Sequence, residues 1–174
     1  MPSIDDIAAE HVERTAALDP CYATYAGIAG HDHELADLSA DGFAERAELD
    51  RATLAALDAA EAREPRDQVA RAAMRERLAL AVECYDAGDT TSKLNTINSW
   101  VQMVREGFDL MPADGEEAAA NVTRRMAAVP RAYVGESNYL RIEIAFESVK
   151  PSGINAACGW IESIFHDHGN LAAY

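Results

Sequence analysis

Two short clusters in this chain combine the side chains that metal and acid-base chemistry use. The tripeptide His-Asp-His stands at His31–His33 and again at His166–His168. The first continues as His33-Glu34-Leu35-Ala36-Asp37, which begins like the zinc-peptidase element H-E-x-x-H but carries aspartate where the second imidazole belongs. That element works on a helix, because i, i+4 spacing brings both imidazoles to one metal beside a glutamate base. Here the surrounding sequence, Gly30 to Gly42, is rich in Gly, Asp and Ser and has no helical period, so a turn with solvated side chains explains His31, His33 and Asp37 better than a metal site does.

The second candidate is a carboxylate and imidazole set, Glu143, Glu147, Glu162 and His166, in which Glu143/Glu147 and Glu162/His166 are each four apart. On facing helices such pairs build bundle metal sites. The di-iron pattern is not met, since the chain contains no Glu-x-x-His, and salt-bridged or solvated side chains are the default. Asp5, Asp6, Asp32, Asp37 and Asp41 could each hold a proton, yet no second carboxylate is placed by spacing to tune them. There is no G-x-S-x-G, no G-x-G-x-x-G and no P-loop. Cys21, Cys84 and Cys158 form no C-x-x-C pair, which argues against a zinc ribbon or a disulfide scaffold and for thiols in a reducing cytoplasm. Trp100, Met103 and Phe108 could line a pocket, although apolar residues at helical spacing are more commonly core.

Helices must position these groups. Ile4 to Leu18 reads as a first helix stopped by Asp19-Pro20, where a second begins with Asp19 as cap and Pro20 in its first turn. Cys21, Tyr22, Tyr25 and Ile28 would be its apolar stripe. After the loop to Gly42, Phe43 to Ala62 forms a helix capped by Ser39 or Asp41, with Phe43, Ala47, Leu54 and Leu57 inward. Beyond Pro65, the residues Ala70, Met74, Leu78, Ala81 and Tyr85 mark one face of a helix that ends at Gly88 and lies antiparallel to its predecessor. A helix from about Ile97 to Met111 follows, then one from Glu116 to Val129. Pro130 starts a further segment, read as helix although Arg141–Phe146 also alternates as a strand would, and Ile154–Phe165 is a last helix. The expected fold is all-α, a multi-helix array in one domain spanning residues 1–174.

Thirty acidic residues against fifteen basic give a formal charge of −15, which repels phosphate backbones and anionic lipid, so nucleic acid and membrane surfaces are excluded as partners. No apolar run approaches the roughly 20 residues of a membrane span, and the first twenty residues carry charges throughout. A soluble cytoplasmic protein is expected.

Several stretches form an ordered set: Leu18-Asp19-Pro20 with Ala23–Gly27 and His31–Ser39; Leu94-Asn95-Thr96-Ile97; Phe108–Pro112; and Ala127–Pro130. Over roughly residues 5–134 this set resembles the N-terminal part of the bacterial domain-of-unknown-function-885 family. The resemblance implies a largely helical protein similar to zinc metallopeptidases, whose longer members carry a downstream His-Glu pair followed by Pro-Gly-His. This chain contains no Pro-Gly-His, and its one His-Glu pair, His33-Glu34, does not align with that element. No catalytic or metal-binding residue carries over, and zinc is expected only in the longer relatives. Residues 1–133 read as family-like and 134–174 as divergent, where isoleucine also becomes frequent. A shortened or frameshifted product and a natural short paralogue both fit that pattern. Either leaves an apolar face for self-association or for packing against a missing C-terminal half.

Overall fold

The computed structural model describes residues 2–92, 99–112 and 114–146, the stretch from 133 onward by its backbone alone. Among the described residues all regular structure is helical: α1 (Ile4–Leu18), α2 (Pro20–Ala26), α3 (Ala40–Ala59), α4 (Pro65–Asp86), α5 (Trp100–Asp109) and α6 (Glu116–Phe146). None of these helices is long and apolar enough to cross a membrane.

Capping chemistry sets most of the boundaries. The Ser3 hydroxyl accepts the Asp6 N–H at 3.1 Å while the Asp6 carboxylate accepts the Ser3 N–H at 2.9 Å, a reciprocal box that opens α1. Asp19 then ends α1 and caps α2, its carboxylate accepting the Tyr22 N–H at 3.0 Å with Pro20 in the first turn. α2 stops after seven residues because Gly27 turns left-handed at φ 72°, a conformation that costs glycine little. Ser39 caps α3, as one of the two expected candidates.

Two apolar clusters hold the array together. Cys21, Ala36, Leu38, Phe43, Val101, Val104, Val129 and Ala132 draw together α2, the loop after it, α3, α5 and α6. Ile4, Ile7, Leu57, Ala60 and Leu78 join α1, the far end of α3, and α4. The antiparallel α3–α4 pair packs as its short connection predicts.

Four expectations change. The stripe expected on α2 does not form, since Cys21 and Ala23 face inward and Tyr25 is 77% exposed. So short a helix has one buried edge, and α2 packs against α1 and α5. On α4 only Leu78 is buried and Ala81 is exposed; among the described residues the helix packs chiefly against α3 and in part against α1. α5 begins at Trp100 with Ser99 as its cap, and Ile97 lies outside the described residues. Pro130 does not start a new element: α6 runs through it to Phe146, so residues 141–146 are helical. A proline inside a helix removes one backbone hydrogen bond and costs about 3 kcal/mol. Burial of Arg125, Val129 and Ala132 on the same helix offsets that loss. The helix expected at Ile154–Phe165 lies outside the described residues.

Candidate functional site

The irregular segment from Ile28 to Leu38 follows from two glycines with positive φ, Gly27 at 72° and Gly30 at 103°. It carries the first His-Asp-His cluster. Glu34 gathers both imidazoles, its carboxylate lying 3.2 Å from His31 Nδ1 and 3.6 Å from His33 Nε2. Asp32 points elsewhere and accepts the Thr24 hydroxyl at 3.2 Å. Asp37 turns toward α3, where the Ser39 N–H at 2.9 Å holds its carboxyl below the ordinary carboxylate range. No three His, Cys, Asp or Glu side chains converge as a metal site would require among the described residues.

Beneath this loop lies Arg125 of α6, with none of its surface exposed. Its Nε donates to the Glu34 carbonyl at 2.7 Å, and its Nη2 faces the His31 carbonyl at 3.0 Å, the Thr24 hydroxyl at 2.8 Å and the Pro20 carbonyl at 3.2 Å. One guanidinium therefore ties α2, the loop and α6 together. Nη1 is buried and without a hydrogen-bond partner among the described residues. Burial pulls the guanidinium pKa down, but arginine starts so high that it stays charged.

Arg46 of α3 repeats the device from the other side. Its Nη1 donates to the Asp37 carbonyl at 2.9 Å and lies 3.5 Å from the Leu18 carbonyl, while its cationic centre sits 4.6 Å from the Phe43 ring centroid and 5.7 Å from that of Trp100. The two rings meet edge to face at 5.0 Å, and Trp100 Nε1 donates to the Thr90 carbonyl at 3.0 Å. Cys21 is buried near both arginines. Burial, then the Asp19 carboxylate, pushes its thiol up, so it remains protonated and unreactive at neutral pH.

The remaining candidates are not brought together. Asp5 pairs with Arg66 at 3.1 Å, Asp6 serves the first cap and Asp41 is exposed in the first turn of α3. Trp100 packs on the first apolar cluster with Phe108, without Met103. Glu147, Glu162 and His166 lie outside the described residues, as does the side chain of Glu143. A cavity of about 550 Å³ is lined by Asp58, Gln68, Arg71, Ala72 and Arg75 of α3 and α4, and by none of the loop residues.

Arg46 and Arg125 are not among the candidates that residue type and spacing single out. A signal was present, because Arg125, Val129 and Ala132 share the i, i+4, i+7 spacing of a buried face. Chemically the arrangement saturates backbone carbonyls and fixes a loop, and it displays a Glu34 carboxylate flanked by two imidazoles at the surface.

A family model described as bacterial protein of unknown function (DUF885) matches residues 20–165. The match extends past residue 134, where the motif-by-motif resemblance stops. No curated protein matches the chain.

Proposed function

The chain belongs to this DUF885 family of bacterial proteins, and from that premise we propose that it is the N-terminal helical region of a metallopeptidase-like protein. In this reading it walls a substrate cleft and supplies neither zinc ligands nor catalytic groups. The observation that carries the reading is the setting of His33-Glu34. The Arg125 fork holds the carbonyls of His31 and Glu34, so the pair sits in irregular backbone, where i, i+4 spacing does not bring a second ligand to its side. Free thiols at Cys21 and Cys84 accord with a cytoplasmic setting.

The test is metal analysis of the purified chain after incubation with zinc and dialysis, alongside an assay with a fluorogenic peptide library. Zinc well below one ion per chain and no hydrolysis above the buffer rate are the expected results. One tightly held zinc together with peptide cleavage would overturn the proposal.

A second reading is an assembly module that pairs with a second copy of the chain, for which Tyr25, Val69 and Leu110 are exposed apolar side chains on α2, on α4 and just after α5. It requires association that grows with concentration in sedimentation, whereas the first reading expects a monomer.

A further inference from the structure

A polar group of side chains lies in the seam between α1 and α3, apart from the loop. His11 Nδ1 is 3.0 Å from the Thr53 hydroxyl, and Thr53 is buried. That hydroxyl donates its one proton to the Leu49 carbonyl of its own helix at 2.8 Å. It has none left for the imidazole, so His11 Nδ1 must be the donor between the two. In the neutral ring the lone pair then falls on Nε2. This atom lies 3.4 Å from the Thr15 hydroxyl, longer than an O–H donor's usual reach, and 3.9 Å from Asp50 Oδ1, so its lone pair is open to a closer donor.

A lone pair and a carboxylate facing each other in a mostly buried seam repel. One proton between them turns repulsion into attraction and draws the two atoms toward hydrogen-bond distance. Burial and the neighbouring Arg14 both disfavour an imidazolium at His11, so the carboxyl oxygen is the better carrier of that proton. We propose that Asp50 and His11 form a one-proton clasp between α1 and α3, in which Asp50 becomes a carboxylic acid in mildly acidic solution and donates to His11 Nε2.

The charged groups around the pair are few. Arg14 of α1 is drawn toward Glu10 at 3.9 Å. Arg51 of α3 is engaged by Glu48 on its own helix and by Asp86 and the Tyr85 ring of α4. Among the described residues, α2 and α6 supply no ionisable group that shifts either member.

Burial pushes the Asp50 carboxyl up to about 6, against the pull of Arg51. Its unfolded value is 3.8, so between those limits the folded chain binds the extra proton. The contribution of Asp50 to stability therefore rises as pH falls through 6 and is complete below 3.8. His11, held below its ordinary value, acts with the opposite sign as pH falls through 6.5. Asp50→Asn keeps His11 but alters its surroundings, so the His11 midpoint read by NMR in both proteins separates the two contributions.

Urea unfolding of the full chain and of Asp50→Asn at pH 7 and pH 5 isolates the carboxyl. The Asn amide mimics the protonated acid, so the variant is expected to be the more stable at pH 7. The ratio of the two unfolding constants should shift roughly tenfold toward the wild type by pH 5. Carboxyl carbon NMR should place the Asp50 midpoint near 6, and imidazole nitrogen shifts should place the His11 proton on Nδ1 at pH 7.5. A ratio that does not change with pH, an Asp50 midpoint near 4, or a His11 proton on Nε2 would each overturn the clasp.

Discussion

Arg125→Ala should lower the unfolding free energy by about 3–5 kcal/mol, the range expected when one member of a buried polar network is deleted. The loss has two parts. The carbonyls of His31, Glu34 and Pro20 lose a charged donor in a place water does not readily reach, and the space the side chain filled is left as a cavity. Urea denaturation measures the total. Amide hydrogen exchange should locate it, with protection lost first between residues 28 and 38, because those residues have no helix of their own to fall back on. Arg125→Lys should stay folded and recover less than half of the loss, since one ammonium cannot reproduce a planar fork that reaches four acceptors. An alanine variant within 1 kcal/mol of the wild type would remove Arg125 from its place as the tie between loop and helix.

Gly42→Ala should be nearly as damaging, at about 3 kcal/mol, through overpacking against rigid backbone. A Cβ at this position would stand 2.3 Å from the Asp37 carbonyl oxygen and 2.8 Å from Asp37 Cβ. The loop cannot yield without disturbing two other contacts: the same carbonyl accepts Arg46 at 2.9 Å, and the Gly42 N–H donates to the Ser39 cap at 3.3 Å. Gly107→Ala is the matched control. Its added carbon would find its nearest neighbours, Arg125 Nη1 and Cys21 Sγ, at an ordinary 3.7 Å. Inside α5 the exchange should be neutral or should stabilise by about 0.5–1 kcal/mol, because alanine loses less backbone entropy than glycine. Thermal melts of both variants check the contrast, and equal losses at the two positions would contradict it.

What the sequence disclosed follows from the range of the interactions involved. Asp19-Pro20, Ser39, Pro65 and Gly88 were legible as element boundaries because a cap bonds to backbone within a few residues of itself. The Arg125 clamp was not legible, because its acceptors lie 91 to 105 positions away in the chain and no local pattern encodes them. The passage of α6 through Pro130 was hidden for a related reason. Local propensity favours a break there, and tertiary burial of the same helix decides otherwise. His33-Glu34 is legible as a loop element from composition alone, since Gly30 and the Asp-rich run around it have little to gain from a helix. The ordered stretches that carry the family resemblance have a physical link in the fold. Arg125 stands just before the Ala127–Pro130 stretch and reaches back to hold the His31–Ser39 stretch.

α3 contributes Phe43 to one apolar cluster and Leu57 to the other, fourteen positions apart, or roughly 21 Å along the axis. The helix is thus the shared beam of two cooperative units, and neither can melt fully without loading the other through it. Asp50 and Thr53 occupy the span between the two ends. A change of protonation there falls at the joint where the two halves of the molecule either unfold as one or come apart in sequence.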